Sequence, residues 1–138
     1  MALVFELWMT AETAKNQSVS ADEVMAAGAP TRVAGLPAPV RQVAAGESHT
    51  GIVTDAGDLL MCGCGGDGRL GLGDEEDRTT PTLVARALFD GEAVLMVDCG
   101  ALRTAALTEG GGVCTFGDGQ DGRLGTGTGR TSLSLIHI

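Results

Sequence analysis

An eleven-residue glycine pattern occurs twice in this chain, and the spacing between its copies constrains the fold more than any other feature. Gly63-Cys64-Gly65-Gly66-Asp67-Gly68-Arg69-Leu70-Gly71-Leu72-Gly73 returns as Gly117-Asp118-Gly119-Gln120-Asp121-Gly122-Arg123-Leu124-Gly125-Thr126-Gly127, offset by 54 residues without a gap. The match continues upstream. Val43, Gly46, Thr50, Thr54 and Gly57 align with Val97, Gly100, Thr104, Thr108 and Gly111, so that 13 of the 31 positions 43–73 are identical in the second copy. A fixed period of about 50 residues marks a repeat architecture, in which each unit buries its core against its neighbours.

Each copy carries short strand-like segments separated by turn residues. Val43–Ala45 and Thr50–Thr54 precede the turn Asp55-Ala56-Gly57-Asp58, and Leu59–Cys62 supplies a partner strand. In the second copy Thr104–Thr108 and Val113–Phe116 flank Glu109-Gly110-Gly111-Gly112. Both read as hairpins, with glycine supplying positive φ at the bend. The glycine-rich segment then forms a compact loop in which Gly68, Gly71 and Gly73, with their counterparts Gly122, Gly125 and Gly127, are expected to include residues at φ > 0. Pro30-Thr31-Arg32-Val33 recurs as Pro81-Thr82-Leu83-Val84. Proline fixes φ and lacks a donor, which suits the first residue of a strand or a sheet edge. Strands every 8–12 residues without a helical period predict an all-β repeat. Residues 1–28 lack these glycines. There Ser20-Ala21-Asp22-Glu23 reads as the capping box of a short helix ending near Gly28, with a poorly ordered leader as the competing reading.

Composition narrows the function classes. A net charge of −9 with a single lysine, Lys15, argues against direct nucleic-acid binding, which needs clustered basic residues to displace phosphate counterions. Three Phe, one Trp and no Tyr leave a core of Val, Leu, Ile and Ala. No apolar run approaches the length of a transmembrane helix, so no membrane partner is expected. Met1–Met9 is apolar but lacks a basic start and contains Glu6, unlike a signal peptide. Cys62, Cys64, Cys99 and Cys114 without a secretion signal point to reduced thiols in the cytoplasm or nucleus. Cys62 and Cys64 alternate along a strand, and their aligned partners are Phe116 and Asp118, so the repeat preserves no metal ligand.

Three chemistries compete with a structural role for these residues. Gly63-x-Gly65-x-x-Gly68 and Gly117-x-Gly119-x-x-Gly122 satisfy the dinucleotide pattern G-x-G-x-x-G. That chemistry needs a helix opening at the last glycine, and Arg69-Leu70-Gly71-Leu72-Gly73 breaks helices. No lysine follows either glycine run, which excludes a P-loop. Asp67, Asp74, Glu75, Glu76 and Asp77 have the oxygen content of a calcium loop, but the second copy keeps only Asp121 and replaces the acidic run with Thr128-Gly129-Arg130-Thr131. Ser48 and His49 are adjacent, face opposite ways along a strand and lack a third catalytic group. The expectation is a chain without catalytic, cofactor-binding or metal-binding residues.

These residues also carry a family resemblance. Val43-Ala44-Ala45-Gly46-Glu47-Ser48-His49-Thr50, then Thr54, Gly57, Gly63-x-Gly65-x-x-Gly68-Arg69-Leu70-Gly71-x-Gly73-Asp74, Arg78 and Pro81-Thr82-x-Val84 resemble one repeat of the regulator of chromosome condensation family. Val97 to Gly127 resembles another, with Arg103 where histidine usually stands, and Pro30–Leu36 resembles the tail of a repeat before them. The resemblance implies four-stranded blades of a seven-bladed β-propeller, here a partial propeller of about two blades cut from a longer one. It implies a packing and hydrogen-bonding role for His49. The expected organisation is a non-repeat segment 1–29, repeats over 30–131, and an anomalous tail 132–138, where a strand remains open but the repeat signature is gone. With two blades, part of the apolar set near Ile52, Leu60, Leu107 and Phe116 is expected to lack a neighbour.

The resemblance further implies an interaction module rather than an enzyme. The leading expectation is a protein-binding scaffold within a larger regulatory protein. One alternative is a guanine-nucleotide exchange factor for a Ran-like small GTPase, as in the family's founding member. Another is the propeller portion of a large ubiquitin ligase. The plant ultraviolet-receptor branch is disfavoured because the only tryptophan, Trp8, lies outside the repeats, and the acidic charge weakens chromatin binding.

Overall fold

Alternating apolar positions bounded by glycine turns give strands of five or six residues, and the 54-residue period lays them out as two equivalent sheets. The computed structural model describes residues 8–9, 31–127 and 132–137. The first blade contains β3 (Val40–Ala45), β4 (His49–Thr54), β5 (Leu59–Gly63) and β6 (Arg78–Leu83), antiparallel in that order. The second contains β7 (Val94–Cys99), β8 (Arg103–Thr108), β9 (Val113–Gly117) and β10 (Ser132–His137), in the spatial order β10-β9-β8-β7. A two-stranded sheet of β1 (Trp8–Met9) and β2 (Thr31–Arg32) precedes them. The expected helix over 20–28 lies outside the described residues.

Register repeats as faithfully as sequence. Val43 opposes Ile52 in the first blade, and Val97 opposes Ala106 in the second. Thr50 opposes Cys62 as Thr104 opposes Phe116. Even the irregularity recurs: pairing shifts between Val40 and Gln42, and again between Val94 and Met96. A bulge inserts an unpaired residue and tightens the twist, so its repetition keeps both blades equally twisted. The β1–β2 pairing falls into the same scheme. Met9 opposes Thr31 and Trp8 opposes Arg32, as Met61 opposes Thr82 and Leu60 opposes Leu83.

Both hairpins turn as expected, with Gly57 at φ 80° and Gly111 at φ 86°. Pro81 lies inside β6 rather than at its start, and β6 is an edge strand, where a missing N–H costs no ladder bond. Ser132–His137 joins the second blade as β10.

The main core lies between the blades. Val53, Leu59, Met61 and Leu70 of the first blade meet Val94, Val97, Ala106, Cys114 and Phe116 of the second, with Val84 and Phe89 from the connection. A smaller cluster joins Val40, Ile52 and Leu60 to Leu36. Of the four residues named for the uncovered surface, Ile52, Leu60 and Phe116 are buried, because Phe116 points into the inter-blade core and the other two are closed over by Val40 and Leu36, whereas Leu107 is partly exposed. Among the described residues the exposed large apolar ones are Val43, Leu83, Met96 and Val113.

Candidate functional site

The residues that combine unusual chemistry with burial gather at one place, the junction between the glycine loop of the first blade and β8 of the second. His49 opens β4 and is fully buried. Its Nε2 lies 2.9 Å from Thr104 Oγ1 across the blade boundary. The Thr104 hydroxyl donates to the Arg69 carbonyl at 2.7 Å. A hydroxyl has one proton to give, so Thr104 Oγ1 accepts from His49, which fixes the Nε2–H tautomer. His49 Nδ1 is then bare, and it has no hydrogen-bond partner. Burial, with the Arg69 charge adding to it, lowers the His49 pKa to about 4, so the ring is neutral at physiological pH.

Arg69 is the hub of the same junction and is itself buried. Its Nε donates to Gly66 O at 2.8 Å and its Nη1 to Ser48 Oγ at 2.8 Å. Nη1 also reaches Ala101 O of the second blade at 3.4 Å, and Nη2 pairs with Asp67 at 3.2 Å. A buried guanidinium with carbonyls, a hydroxyl and a carboxylate around it is a satisfied structural cation. Nearby, the side-chain amide of Gln42 pairs with β7 as a strand would. Its Nε2 donates to Val97 O and its Oε1 accepts from Val97 N–H, both at 2.9 Å.

This geometry redirects the candidate chemistries. Ser48 is an acceptor for Arg69, and the His49 ring turns to Thr104 instead, so the neighbours form no nucleophile–base pair. The glycine loop holds only a three-residue 3-10 turn, Gly66–Gly68, before bending at Gly71. It offers no helix N-terminus to a pyrophosphate. Gly68, Gly71 and Gly73 have φ of 70°, 67° and 86°, and Gly122, Gly125 and Gly127 have 70°, 72° and 70°. Asp67 and Asp121 also sit at φ 57°, a left-handed conformation that glycine spacing does not reveal but aspartate tolerates.

The acidic run is occupied by its own loop. Asp77 Oδ1 accepts from Gly65 N–H at 2.8 Å, and Asp74 Oδ1 accepts from Glu76 N–H at 3.0 Å. Asp74 Oδ2 takes Arg78 at 2.7 Å, and that hydrogen bond holds its carboxyl below the usual pKa. Among the described residues no group of three or more potential ligands is placed to share a metal. All four cysteines are thiols outside any disulfide. Cys62 packs as a small core residue, whereas Cys64 lies just past the end of β5 and is half-buried. Among the described residues no helix is long and apolar enough to cross a membrane.

Sequence reasoning missed two partnerships. Thr50 and Thr104 are retained in both copies, a signal that a hydroxyl matters there, but nothing local indicates that Thr104 serves the preceding blade. Gln42 is replaced by Met96 in the second copy, so the repeat gave no hint of its clamp.

Comparison with known proteins places this arrangement. A probable E3 ubiquitin-protein ligase, HERC3 of Homo sapiens, is 42% identical over 97 residues, covering 70% of this chain and 9% of that protein. The ultraviolet-B receptor UVR8 of Arabidopsis thaliana is 42% identical over 88 residues, covering 64% of this chain and 20% of the receptor. The X-linked retinitis pigmentosa GTPase regulator of Mus musculus is 39% identical over 98 residues, covering 71% and 10%. The crystal structure of human WBSCR16 superposes with a TM-score of 0.73 at 26% identity, over 81% of this chain and 28% of that one. The chain thus spans a small part of each relative's length. Residues 56–107, from the β4–β5 turn of the first blade to β8 of the second, match the regulator of chromosome condensation (RCC1) repeat. With its sheets, register and glycine loops accounted for, the chain carries about two propeller repeats of the RCC1 type.

Proposed function

We propose that these repeats are a protein-interaction scaffold within a larger regulatory protein, with no chemistry of their own. One observation carries this reading: the buried polar residues at the blade junction are spent on holding blade to blade. His49, Thr104 and Arg69 bond to one another, to backbone and to the neighbouring Ser48 and Asp67, and the repeated glycines shape turns. The exposed loops are left to vary, and they carry Glu47, Glu75 and Glu76 at one end and Asp55, Asp90 and Glu109 at the other. Loops on a rigid scaffold are where binding residues concentrate. Their charge favours a partner with a basic face. Relatives named as a ligase, a photoreceptor and a GTPase regulator share this region, which supports a common scaffold serving unlike activities. The expected location is the cytoplasm or nucleus, in keeping with four cysteines outside any disulfide.

The GTPase regulator among the relatives favours a second reading, nucleotide exchange on a Ran-like small GTPase. The similarity to HERC3 favours a third, the propeller portion of a ubiquitin ligase, whose catalysis would reside in another domain. Release of a fluorescent guanine nucleotide from a purified Ran-type GTPase separates the first two. The scaffold reading expects release to stay at its intrinsic rate when the chain is added. A saturable acceleration would replace it with the exchange reading. Affinity purification with the chain and with a Glu47→Lys, Glu75→Lys, Glu76→Lys variant tests the scaffold directly. Loss of specific partners with an unchanged melting temperature is expected, and a partner set indifferent to the loops would sink it.

A further inference from the structure

The two glycine loops share one backbone and differ in one piece of chemistry. Cys64 N–H donates to Ser48 O at 2.8 Å, and Asp118 N–H, at the equivalent position of the second blade, donates to Leu102 O at 2.9 Å. Gly65 and Gly119 follow at φ −91° and −95°, and Asp67 and Asp121 both stand at φ 57°. On this common frame the second loop holds an acid where the first holds a thiol. Asp118 is buried, its Oδ1 accepts from Gln120 N–H at 2.9 Å, and its Oδ2 accepts from Arg123 Nη1 at 2.9 Å. One amide and one guanidinium thus converge on the two oxygens of a single side chain.

The first loop presents the same donors. Gly66 stands where Gln120 stands, and Arg69 where Arg123 stands. A methyl group at Gly66 would lie 3.4 Å from Arg69 Nη2 and 3.7 Å from Cys64 Sγ, so the guanidinium and the sulfur look on the same small space. Arg69 Nη1 is taken by Ser48 Oγ, whose counterpart Leu102 has no hydroxyl. Nη2 gives one of its two protons to Asp67 and keeps the other for a further oxygen. Cys64 is half-buried and open to a small reagent, whereas Cys62, Cys99 and Cys114 are buried.

We propose that Cys64 is an oxidation site, a thiol that hydroperoxides convert to a sulfinate, and that the sulfinate takes up the two contacts Asp118 makes in the second blade. In the first step the sulfur, as thiolate, attacks one oxygen of the hydroperoxide. An S–O bond forms, the O–O bond breaks, and the departing oxygen takes the thiol's proton and leaves as water or an alcohol. Sulfur is oxidised by two electrons to the sulfenic acid and the peroxide is reduced. A second hydroperoxide repeats the step and leaves a sulfinate, which carries two oxygens and one negative charge as an aspartate does. One oxygen accepts from Gly66 N–H and the other from the Arg69 guanidinium, as Asp118 accepts from Gln120 N–H and Arg123. Hydrogen bonds between ionised groups are the strong ones, so the oxidised loop is held more tightly to the blade junction.

The test titrates hydrogen peroxide onto the reduced chain, assigns each cysteine by peptide mass mapping and melts the product beside the untreated protein. Cys64 is expected to gain two oxygens while Cys62, Cys99 and Cys114 stay thiols. The oxidised chain should melt about 4 °C higher, the shift a few tenths to one additional ion pair brings to a chain of this size. Cys64→Asp should melt higher by a similar amount with no peroxide added. Cys64→Ser, treated alike, should not shift, which separates the effect from oxidation of the exposed Met96. Oxygen gained at Cys64 only after unfolding in urea overturns the proposal, as does a Cys62–Cys64 disulfide in place of the oxygen adduct. An oxidised chain or a Cys64→Asp variant that melts no higher than the reduced parent overturns it equally, because repulsion from Asp67 and Asp77 would then outweigh the new contacts.

Discussion

His49 Nε2 and Thr104 Oγ1 meet at 2.9 Å across the blade boundary, 55 residues apart in sequence, and both are buried. The contact joins the first residue of β4 to the second residue of β8, so the same bond reports the integrity of both blades. The neutral Nε2–H tautomer is the only state in which His49 can donate to Thr104 without adding a charge to the core.

Stability should therefore fall as the solution is acidified. The unfolded histidine takes up a proton near pH 6.5 and the folded one only near pH 4, so stabilisation is complete above pH 6.5, declines between those values and levels off below. The shift corresponds to about 3 kcal/mol. Urea denaturation at a series of pH values measures it. His49→Gln keeps an N–H donor without titrating, and its curve should lack this component. Equal slopes for the two proteins between pH 6.5 and 4 would show that His49 ionises freely in the folded state.

The Gln42 clamp offers a second measurement. Gln42→Met installs the residue that stands at the equivalent position of the second blade, and it strips two hydrogen bonds from Val97. A loss of about 1–3 kcal/mol in unfolding free energy is expected, with no change in denaturant slope. Gln42→Glu should cost more, because its carboxylate would face the Val97 carbonyl.

Two glycines separate close approach from backbone conformation. A methyl group at Gly46 would overlap the Gly100 carbonyl of the other blade, although its φ is not positive. At Gly73 a methyl meets nothing within 4 Å, but φ is 86°. Gly73→Ala should cost about 1 kcal/mol, the price of a left-handed residue. Gly46→Ala should cost clearly more, because the blades must separate to admit it. The order of the two melting temperatures decides the matter.

Thiol labelling should distinguish one cysteine from three. Burial pushes Cys62 up to about 11 and Cys99 up to about 12, and Cys114 is raised too, with no exposed surface. The thiolate is the reactive form, so these three should resist iodoacetamide at pH 8. Cys64, half-buried at the start of the glycine loop, should label first. Unfolding in urea should make all four reactive. Rapid labelling of Cys99 in the folded protein would mean that the inter-blade core opens.

Much of the architecture was legible in the chain itself. The hairpin around Asp55–Asp58 and its counterpart around Glu109–Gly112 follow from glycine placement, and both occur where turn chemistry puts them. β3 begins at Val40, earlier than Val43, because a bulge lets Arg41 and Gln42 extend the strand without breaking its pairing. The burial of Ile52, Leu60 and Phe116 was not legible. Strand alternation tells which residues share a face, but not what covers that face.

The period, the strands and the positive-φ glycines are local properties, set by steric limits on each residue and by the two-residue alternation of a strand, so the sequence alone determined them. The tertiary structure decided the partnerships. Thr104 serves a histidine 55 residues away and a carbonyl 35 residues away, and Gln42 pairs with backbone atoms that every residue possesses. Such contacts depend on how one sheet lies over the next. That placement is fixed by packing across the inter-blade core rather than by any residue's own preference.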